Sequence, residues 1–301
     1  MNVLLCGASG FIGSAIARAL RAAGHRLIEP PGPPMDFSRD LEATAWLPRL
    51  AQAEAVINAV GALRDSPARP LEALHHRAPA ALFEACAQYG VRRVIQISAL
   101  GIEGNATPYA RSKLAGDAAL IALQRQGRLD ATILRPSIVF GPAGLSSRLF
   151  MRLAALPLLP LPAEAFQGRV QPITASDLAQ TCLALLSSRG PELLELVGPQ
   201  ALSLADLLAE LRHQQGRRPA LRIKLPPAWS RWSAQLGDRL PWQTWGSATL
   251  ALMRSDNTAP VWPVEEALGR QLTPLARFVA DEWRQPPSSA RALPPAPLRP
   301  R

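Results

Sequence analysis

NVLLCGASGFIGSAIARALRAAG, residues 2–24, is the stretch that decides the fold. It begins with a short apolar run that ends at a glycine, and apolar residues at helical spacing follow. Gly7 and Gly10 lie between these two parts, and Gly13 lies near the start of the helical part. The pattern predicts a strand, a tight glycine turn and a helix, in that order.

The glycine turn suits a phosphate group. Glycine carries no Cβ, so the backbone can approach a pyrophosphate closely, and the free N–H groups at the start of the helix then face the anion. In a strand–turn–helix unit this spacing indicates a dinucleotide-binding site. The alternative is a tight strand–helix turn that binds no ligand.

The alternation of strand and helix continues downstream. Strand-like segments at 55–60, 91–98 and 131–140 alternate with helical segments at 70–90 and 107–127. Apolar strands alternating with amphipathic helices predict an α/β fold, with a doubly wound parallel sheet covered on both faces.

The sequence changes character after about residue 142. Prolines crowd 157–172, and six of the seven tryptophans lie beyond residue 228. We predict a smaller C-terminal α/β lobe with an aromatic core of its own. The tryptophans assigned to it are Trp229, Trp232, Trp242, Trp245, Trp262 and Trp283.

The predicted organisation has three parts. Residues 1–215 form the dinucleotide-binding domain, with parts of the lobe from about residue 142 onward. Residues 216–284 form the tryptophan-rich substrate or interaction lobe. Residues 285–301 are rich in proline and poor in large apolar residues, and we predict that they are disordered.

Tyr109 and Lys113 form an unusual pair, because the chain has only two tyrosines and two lysines among 301 residues. Thr107 as N-cap and Pro108 open the predicted helix, on which the pair shares a face. An ammonium group lowers the pKa of a nearby phenol and makes a tyrosine a usable proton shuttle. The pair predicts an acid/base site beside a bound nucleotide, whose ribose the lysine would hold. The alternative is a surface pair that only supports the helix.

Four segments carry a family resemblance: GASGFIG (7–13), NAVG (58–61), YARSK (109–113) and LRPSIVFGP (134–142). Together they resemble the extended and atypical short-chain dehydrogenase/reductases, which include the NAD-dependent epimerases and dehydratases. The nearest branch is similar to an accessory NAD(P)H-binding subunit of respiratory complex I. The resemblance spans about residues 1–215 and implies a Rossmann sheet of about seven parallel strands that holds NAD or NADP.

The resemblance also implies roles for particular residues. Tyr109 would be the acid/base, Lys113 its partner and ribose anchor, and Ser98 an assisting hydroxyl. The residues expected to contact the dinucleotide follow the strand ends: Gly7, Ser9, Gly10, Phe11, Ile12, Gly13, Asp36, Phe37, Asn58, Ala59, Gly61, Lys113, Pro136 and Ile138. Among these, Asp36 and Phe37 would lie near the adenine, and Pro136 and Ile138 near the nicotinamide.

Some positions depart from the family pattern. The usual catalytic hydroxyl falls at Ala99, so Ser98 is either a displaced substitute or a strand-end hydrogen bonder. His75 lies where relatives carry a helix asparagine, but the run HHR at 75–77 is more typical of a solvated helix face, and no metal site is predicted. Asp177 matches a family aspartate at a helix start, or acts as a simple N-cap.

The identity of the cofactor stays open between NAD and NADP. Glu29, near the end of the second strand, would favour NAD by binding the ribose 2′-hydroxyl. Arg26 and Arg39 are possible partners for the 2′-phosphate of NADP, and the basic composition slightly favours NADP.

Composition narrows the function class. The net charge of +10 is spread along the chain without basic blocks or interleaved aromatic residues, which argues against nucleic acid and against an anionic membrane as partners. The three cysteines lie in apolar stretches without disulfide or metal-ligand spacing, and no run is long enough to cross a bilayer. We therefore expect a cytoplasmic protein with free, buried thiols.

Two functions remain open after this step. The first is an NAD(P)-dependent oxidoreductase or epimerase-like enzyme that uses Tyr109 as acid/base. The second is a non-catalytic NAD(P)H-binding subunit or sensor in a larger complex, which the alanine at the hydroxyl position favours.

Overall fold

The computed structural model describes residues 1–29, 32–238, 246, 250 and 256–283. Within these residues, one sheet has six parallel strands: β1 (Asn2–Cys6), β2 (Arg26–Leu27), β3 (Ala55–Asn58), β4 (Arg93–Ile97), β5 (Asp130–Pro136) and β10 (Leu193–Leu196). Their spatial order is β10-β5-β4-β3-β1-β2. The sheet thus has six strands, where the family resemblance implied about seven.

The remaining strands form three short pairs. Two pairs are parallel: β6 (Val139–Phe140) with β9 (Ile173–Thr174), and β7 (Leu158–Pro162) with β12 (Leu221–Leu225). The third is antiparallel and joins β8 (Arg169–Val170) to β11 (Leu202–Ser203). The single strand expected over 131–140 is therefore divided into β5 and β6.

Helices cover the sheet and build the lobe. The α-helices are α1 (Phe11–Ala22), α2 (Ala43–Trp46), α3 (Ala78–Tyr89), α4 (Pro108–Arg125), α5 (Leu145–Ala155), α6 (Ala175–Ser187), α7 (Leu204–Gln214), α8 (Pro227–Asp238) and α9 (Trp262–Leu268). In the part of the chain that the structure describes, 3₁₀ turns occur at Leu47–Leu50, Ala163–Phe166 and Leu275–Arg277, and π-helical turns occur at Ala73–Arg77 and Val279–Trp283.

The sheet is covered on both faces, as the sequence predicts. Along β1, Val3 and Leu5 belong to a first core with α1 and α6, whereas Leu4 and Cys6 belong to a second core with α2, α3 and α4. Side chains alternate between the faces of a strand, so two apolar faces require two covering layers. The doubly wound α/β architecture is confirmed.

The lobe has a third core, and its aromatic residues are mainly phenylalanines. Phe140 and Phe278 are fully buried, with ring centroids 5.5 Å apart. Trp283 packs on the edge of this core, 5.9 Å from Phe140.

The tryptophan core predicted for the lobe is wrong at three positions, because Trp229, Trp232 and Trp262 are exposed. Trp242, Trp245 and the predicted disordered tail at 285–301 lie outside the described residues.

Asp177 joins the C-terminal segment to the sheet domain. Its carboxylate is buried on α6, where Oδ1 accepts a hydrogen bond from Arg270 Nη2 at 2.7 Å and Oδ2 accepts one from the Thr273 backbone N–H at 2.9 Å. The N-cap of α6 is Thr174, whose hydroxyl accepts from the Asp177 N–H. Of the two alternatives for Asp177, the simple N-cap is therefore wrong, and its carboxylate joins two segments that are distant in sequence.

Cys6, Cys86 and Cys182 are free and buried, which confirms the thiol prediction, and burial raises the pKa of each thiol. Across the described ranges, none of the helices has the length and apolar character needed to cross a membrane.

Candidate active site

The glycine turn lies where strand order reverses, at the carboxyl ends of β1 and β3. Gly7 has φ +81°, a left-handed conformation, and a Cβ there would be 3.0 Å from the backbone carbon and oxygen of Ala59. A Cβ on Gly13 would lie 2.0 Å from the Gly7 carbonyl oxygen. Both glycines are required by close backbone approach, and the crevice outside such a reversal is where open α/β sheets bind ligands.

The first turn of α1 suits an anion. Gly10 is the N-cap and provides no side chain to accept from the helix N–H groups, and the first turn contains no acidic residue. Its own N–H donates to the Gly7 carbonyl oxygen at 2.9 Å, which closes the turn. The remaining N–H groups and the positive end of the helix dipole are therefore available to a phosphate.

The neighbouring side chains of the turn differ in environment. Ser9 is exposed, and Ile12 is partly buried against the first core. The ring of Phe11 lies against two glycines, because a Cβ on Gly141 or Gly144 would be 2.9 Å from it. Phe11 thus packs the glycine turn against the segment that leads into the lobe.

Asp36 lies in a firmly held loop beside the second core. Its Oδ1 accepts hydrogen bonds from the Ser38 hydroxyl at 2.6 Å and the Ser38 N–H at 2.9 Å, and these bonds lower the pKa of Asp36. Phe37 is buried and packs edge-on against Trp46, with ring centroids 5.0 Å apart. Contact of either residue with an adenine stays a prediction.

Asn58 orders the chain after β3. Its side-chain amide donates to Gln96 on β4 at 2.9 Å, and its Oδ1 accepts from the Val60 N–H at 3.1 Å. Ala59 and Gly61 follow directly, and a Cβ on Gly61 would lie 3.4 Å from Lys113 Nζ. The nitrogen and the oxygen of the Asn58 side chain thus both hold the end of β3 and the residues after it, beside the lysine.

Tyr109 and Lys113 lie in the first turns of α4, and Thr107 caps that helix as predicted, with its hydroxyl accepting from the Ala110 N–H. Lys113 is buried, and its Nζ donates to the Ile97 carbonyl oxygen at 3.0 Å. Burial lowers the pKa of Lys113 to about 8, against the opposing effect of Asp117. The ammonium therefore lies between the ends of β4 and β3, at the edge that holds the glycine turn.

The pKa of Tyr109 moves opposite to our expectation. Burial, and then the Asp117 carboxylate, raise it to about 12, whereas the lysine pairing predicted a lowered value. The low dielectric around the ring disfavours the charged phenolate, and the neighbouring Asp117 carboxylate disfavours it further. At neutral pH the phenol is fully protonated, so it is a proton donor.

Ser98 is committed to a buried carboxylate. Its Oγ donates to Asp117 Oδ2 at 2.8 Å, and the same oxygen accepts from Arg135 Nε at 3.0 Å. The single hydroxyl proton of Ser98 is therefore used, and the assisting donor role predicted for it finds no support in this geometry. The alternative of a strand-end hydrogen bonder fits the structure.

His75 is buried, so the prediction of a solvated face is wrong for this residue. Its Nε2 accepts from the Ala62 N–H at 3.1 Å, so the ring proton is on Nδ1, which lies 3.0 Å from Ser112 Oγ. Ser112 in turn donates to the Tyr109 carbonyl oxygen at 3.0 Å. Burial, and then Lys113, lower the pKa of His75 to about 3, so the ring is neutral.

The His75 ring also supports the tyrosine directly. It packs edge-on against Tyr109, with centroids 5.4 Å apart and planes at 90°. His76, the next residue, is partly exposed and bonds to Glu72, as expected of a surface position. His75 therefore connects the loop at 59–62 to the helix that carries the tyrosine and lysine.

Pro136 and Ile138 flank the end of β5. The Pro136 carbonyl oxygen accepts from the Leu100 N–H at 2.9 Å, and Ile138 packs against the third core. Between them, Ser137 donates to the Asn257 carbonyl oxygen at 3.3 Å. This edge of the site is thus shared between the sheet domain and the C-terminal segment.

The model of the NAD dependent epimerase/dehydratase family matches residues 3–191. This chain belongs to that family. Among curated proteins, none matches it by sequence.

Solved structures share the family fold. Human epimerase family protein SDR39U1 (isoform 2), solved with NADPH, aligns with a TM-score of 0.69 at 16% identity, over 94% of this chain and 99% of that chain. UDP-N-acetylglucosamine 4-epimerase from Bacillus cereus aligns at 0.67 and 17%, over 93% and 97%. RMD from Pseudomonas aeruginosa, complexed with NADPH, aligns at 0.67 and 18%, over 93% and 96%. The family resemblance and the Rossmann fold are confirmed, and the likeness to a respiratory accessory subunit stays a prediction.

Sequence reasoning missed one buried side chain of the candidate site, next to Lys113. Asp117 is buried among Ser98, Arg135 and Lys113, and burial raises its pKa. Its spacing gave a usable signal, because it follows Lys113 by four residues and therefore shares the helix face of the pair. A carboxylate four residues after a lysine, on the same buried face of a helix, indicates a buried charge partner.

Proposed function

We propose that this chain is an NAD(P)-dependent oxidoreductase or epimerase-like enzyme in which Tyr109 is the acid/base. The observation that supports it most directly is the position of Lys113 Nζ, which lies on the Ile97 carbonyl and beside Gly61, at the sheet edge that also carries the glycine turn. A structural lysine has no need of burial at this edge, where the cost of desolvating an ammonium is high.

The site suits a nicotinamide dinucleotide. Gly7 and Gly13 allow the turn to pack closely against Ala59 and against itself, and the uncapped start of α1 offers N–H groups to the pyrophosphate. Lys113 would hold the nicotinamide ribose. When bound, the dinucleotide accepts or donates a hydride at nicotinamide C4.

The surroundings of Asp36 favour NADP. Its carboxylate accepts two hydrogen bonds from Ser38 and is less available to a ribose hydroxyl. Arg39 has 86% of its side chain exposed and approaches Asp36 only to 3.6 Å, so it can turn toward a 2′-phosphate.

The chain's own residues favour the reducing direction. A phenol whose pKa is raised holds its proton at neutral pH and donates it to a substrate oxygen as that oxygen gains negative charge. His75 packs against one side of the Tyr109 ring, and Lys113 lies one helical turn further along α4.

A non-catalytic NAD(P)H-binding subunit is the second candidate. Two observations favour it: the hydroxyl of Ser98 is committed to Asp117, and Ala99 has none to offer. In that case the glycine turn and Lys113 would bind the dinucleotide, and Tyr109 would only be part of its pocket.

Replacement of each of the two tyrosines separates these candidates. Tyr109→Phe removes only a hydroxyl, and the exposed Tyr89→Phe is the matched control. NADPH and NADH binding would be titrated by tryptophan fluorescence. Oxidation of NADPH would be followed with a panel of simple ketones and nucleotide-linked keto sugars.

For an enzyme, Tyr109→Phe lowers kcat by about 100-fold or more while the cofactor Kd changes little, because general acid catalysis contributes about that factor. Tyr89→Phe leaves both unchanged. Equal turnover by Tyr109→Phe and the wild type would rule out the acid/base role. Tight NADPH binding without turnover on the whole panel favours the second candidate.

A further inference from the structure

Helix α8 carries its large apolar residues on the side that faces away from the protein. Trp229, Trp232 and Leu236 are 66%, 64% and 46% exposed, and we call these three residues the tryptophan face. The packed side of the helix has small residues instead, since Ser230 and Ala234 are 1% and 0% exposed. This is the reverse of an ordinary surface helix, which turns its large apolar residues inward.

The spacing of the tryptophan face is helical, with intervals of three and four residues. Such a stripe on an exposed side marks a contact with something outside the fold. The preceding strand β12 also has exposed apolar residues, because Leu221 and Ile223 are exposed there and alternate with Arg222 and Lys224.

The charge around the tryptophan face identifies its partner. Residues 217–238 carry five basic side chains and one acidic, a net charge of +4. A second copy of this chain would bring two such surfaces together and be repelled. An anionic surface would be attracted by several exposed Arg and Lys side chains at once.

We propose that the tryptophan face binds the surface of a bilayer that contains anionic lipids, with α8 lying in the plane of the interface. Indole rings have an apolar body and a polar N–H and prefer the headgroup level, and basic side chains can extend to lipid phosphates. The helix has 12 residues, too few to cross the hydrocarbon core. The even distribution of charge along the sequence concealed this surface, because only the fold shows which side of α8 is exposed.

A vesicle-binding experiment with the full chain tests the proposal. The double variant Trp229→Ser/Trp232→Ser is compared with wild type and with Trp262→Ser, a control of equal chemistry whose side chain is 67% exposed on α9. Co-sedimentation is measured with phosphatidylcholine vesicles and with vesicles containing 30% phosphatidylglycerol, at low and high salt. Light scattering gives the oligomeric state, and circular dichroism verifies folding.

The proposal predicts binding to the anionic vesicles only, at least tenfold weaker in the double variant, weaker in high salt and unchanged in Trp262→Ser. It also predicts a blue shift of tryptophan emission on binding, reduced in the double variant. Absence of wild-type binding to anionic vesicles would overturn it. So would a dimer that the double variant dissociates, because the face would then contact a second copy.

Discussion

At the residue scale, burial and polar contacts have opposite effects on the pKa of Lys113. Its ammonium donates a hydrogen bond to the Ile97 carbonyl oxygen and is stabilised by the Asp117 carboxylate, yet burial dominates and lowers its pKa to about 8. The group is therefore charged at neutral pH and neutral a little above it. A residue with the ordinary lysine pKa of 10.5 would remain charged throughout this range.

We predict that NADPH affinity decreases above about pH 8. The charged ammonium is the form that can hold the ribose and offset the phosphates, so affinity should fall by up to about tenfold per pH unit beyond that value. The measurement is the Kd by fluorescence between pH 6 and 10. Lys113→Met should bind weakly at every pH and lose this slope. The same slope in that variant would contradict the assignment to Lys113.

At the scale of elements, the π-helical turn at Ala73–Arg77 brings His75 into the site. Gly116 on α4 allows this, because a Cβ there would lie 2.0 Å from the His75 carbonyl oxygen. The imidazole then spans from the loop after β3 to α4 through Ala62 and Ser112. The neutral His75 ring thus connects the π-helical turn, the loop after β3 and α4.

We predict that His75→Leu destabilises the fold and impairs the site. It leaves the Ala62 N–H without its acceptor and the Ser112 oxygen without the proton that His75 donates, which should cost about 2–4 kcal/mol of unfolding free energy. Chemical denaturation measures this loss. Titration with NADPH measures whether the loop at 59–62 still supports cofactor binding. His76→Leu, at the adjacent partly exposed position, should cost less than about 1 kcal/mol. Equal losses in the two variants would refute the bridging role.

Local patterns predicted the elements well, and distant contacts explain what they missed. The first strand, turn and helix and the cap of α4 depend on neighbours in sequence, so residues 2–24 and Thr107 were enough to predict them. The burial of His75 could not be predicted in this way, because its partners, Ala62 and Ser112, come from other segments. The exposure of Trp229 and Trp232 could not be predicted either, because periodicity shows which residues share a helix face but not which face packs against the protein.

At the scale of the whole molecule, the C-terminal segment returns from the lobe to the sheet domain. Asp177 binds Arg270 and Thr273, and the buried Gln171 accepts from the Ala259 N–H while donating to the Gly198 carbonyl oxygen. These contacts hold the segment that also provides Asn257 beside the end of β5. The C-terminal segment and the sheet domain are therefore joined by side-chain hydrogen bonds as well as by the covalent chain.

We predict that Asp177→Ala lowers the unfolding free energy by about 2 kcal/mol, because it removes two hydrogen bonds to a buried carboxylate, one of them from a half-exposed arginine. Urea denaturation measures the loss, and limited proteolysis should show earlier cleavage near residue 270. Asp281→Ala breaks only the Arg277 pair within one helical turn and should change stability by less than about 0.5 kcal/mol. If the two variants lost the same amount of stability, the role of Asp177 in joining these segments would be contradicted.

The C-terminal return has a consequence for how the chain folds as it is made. Val264 and Leu272 belong to the first core, together with residues of β1 and α1. A ribosome must therefore synthesise most of the polypeptide before the half that is translated first can close its hydrophobic interior. Until then the side of α6 that α9 later covers is open, which makes this surface a natural place for a chaperone to bind the nascent chain.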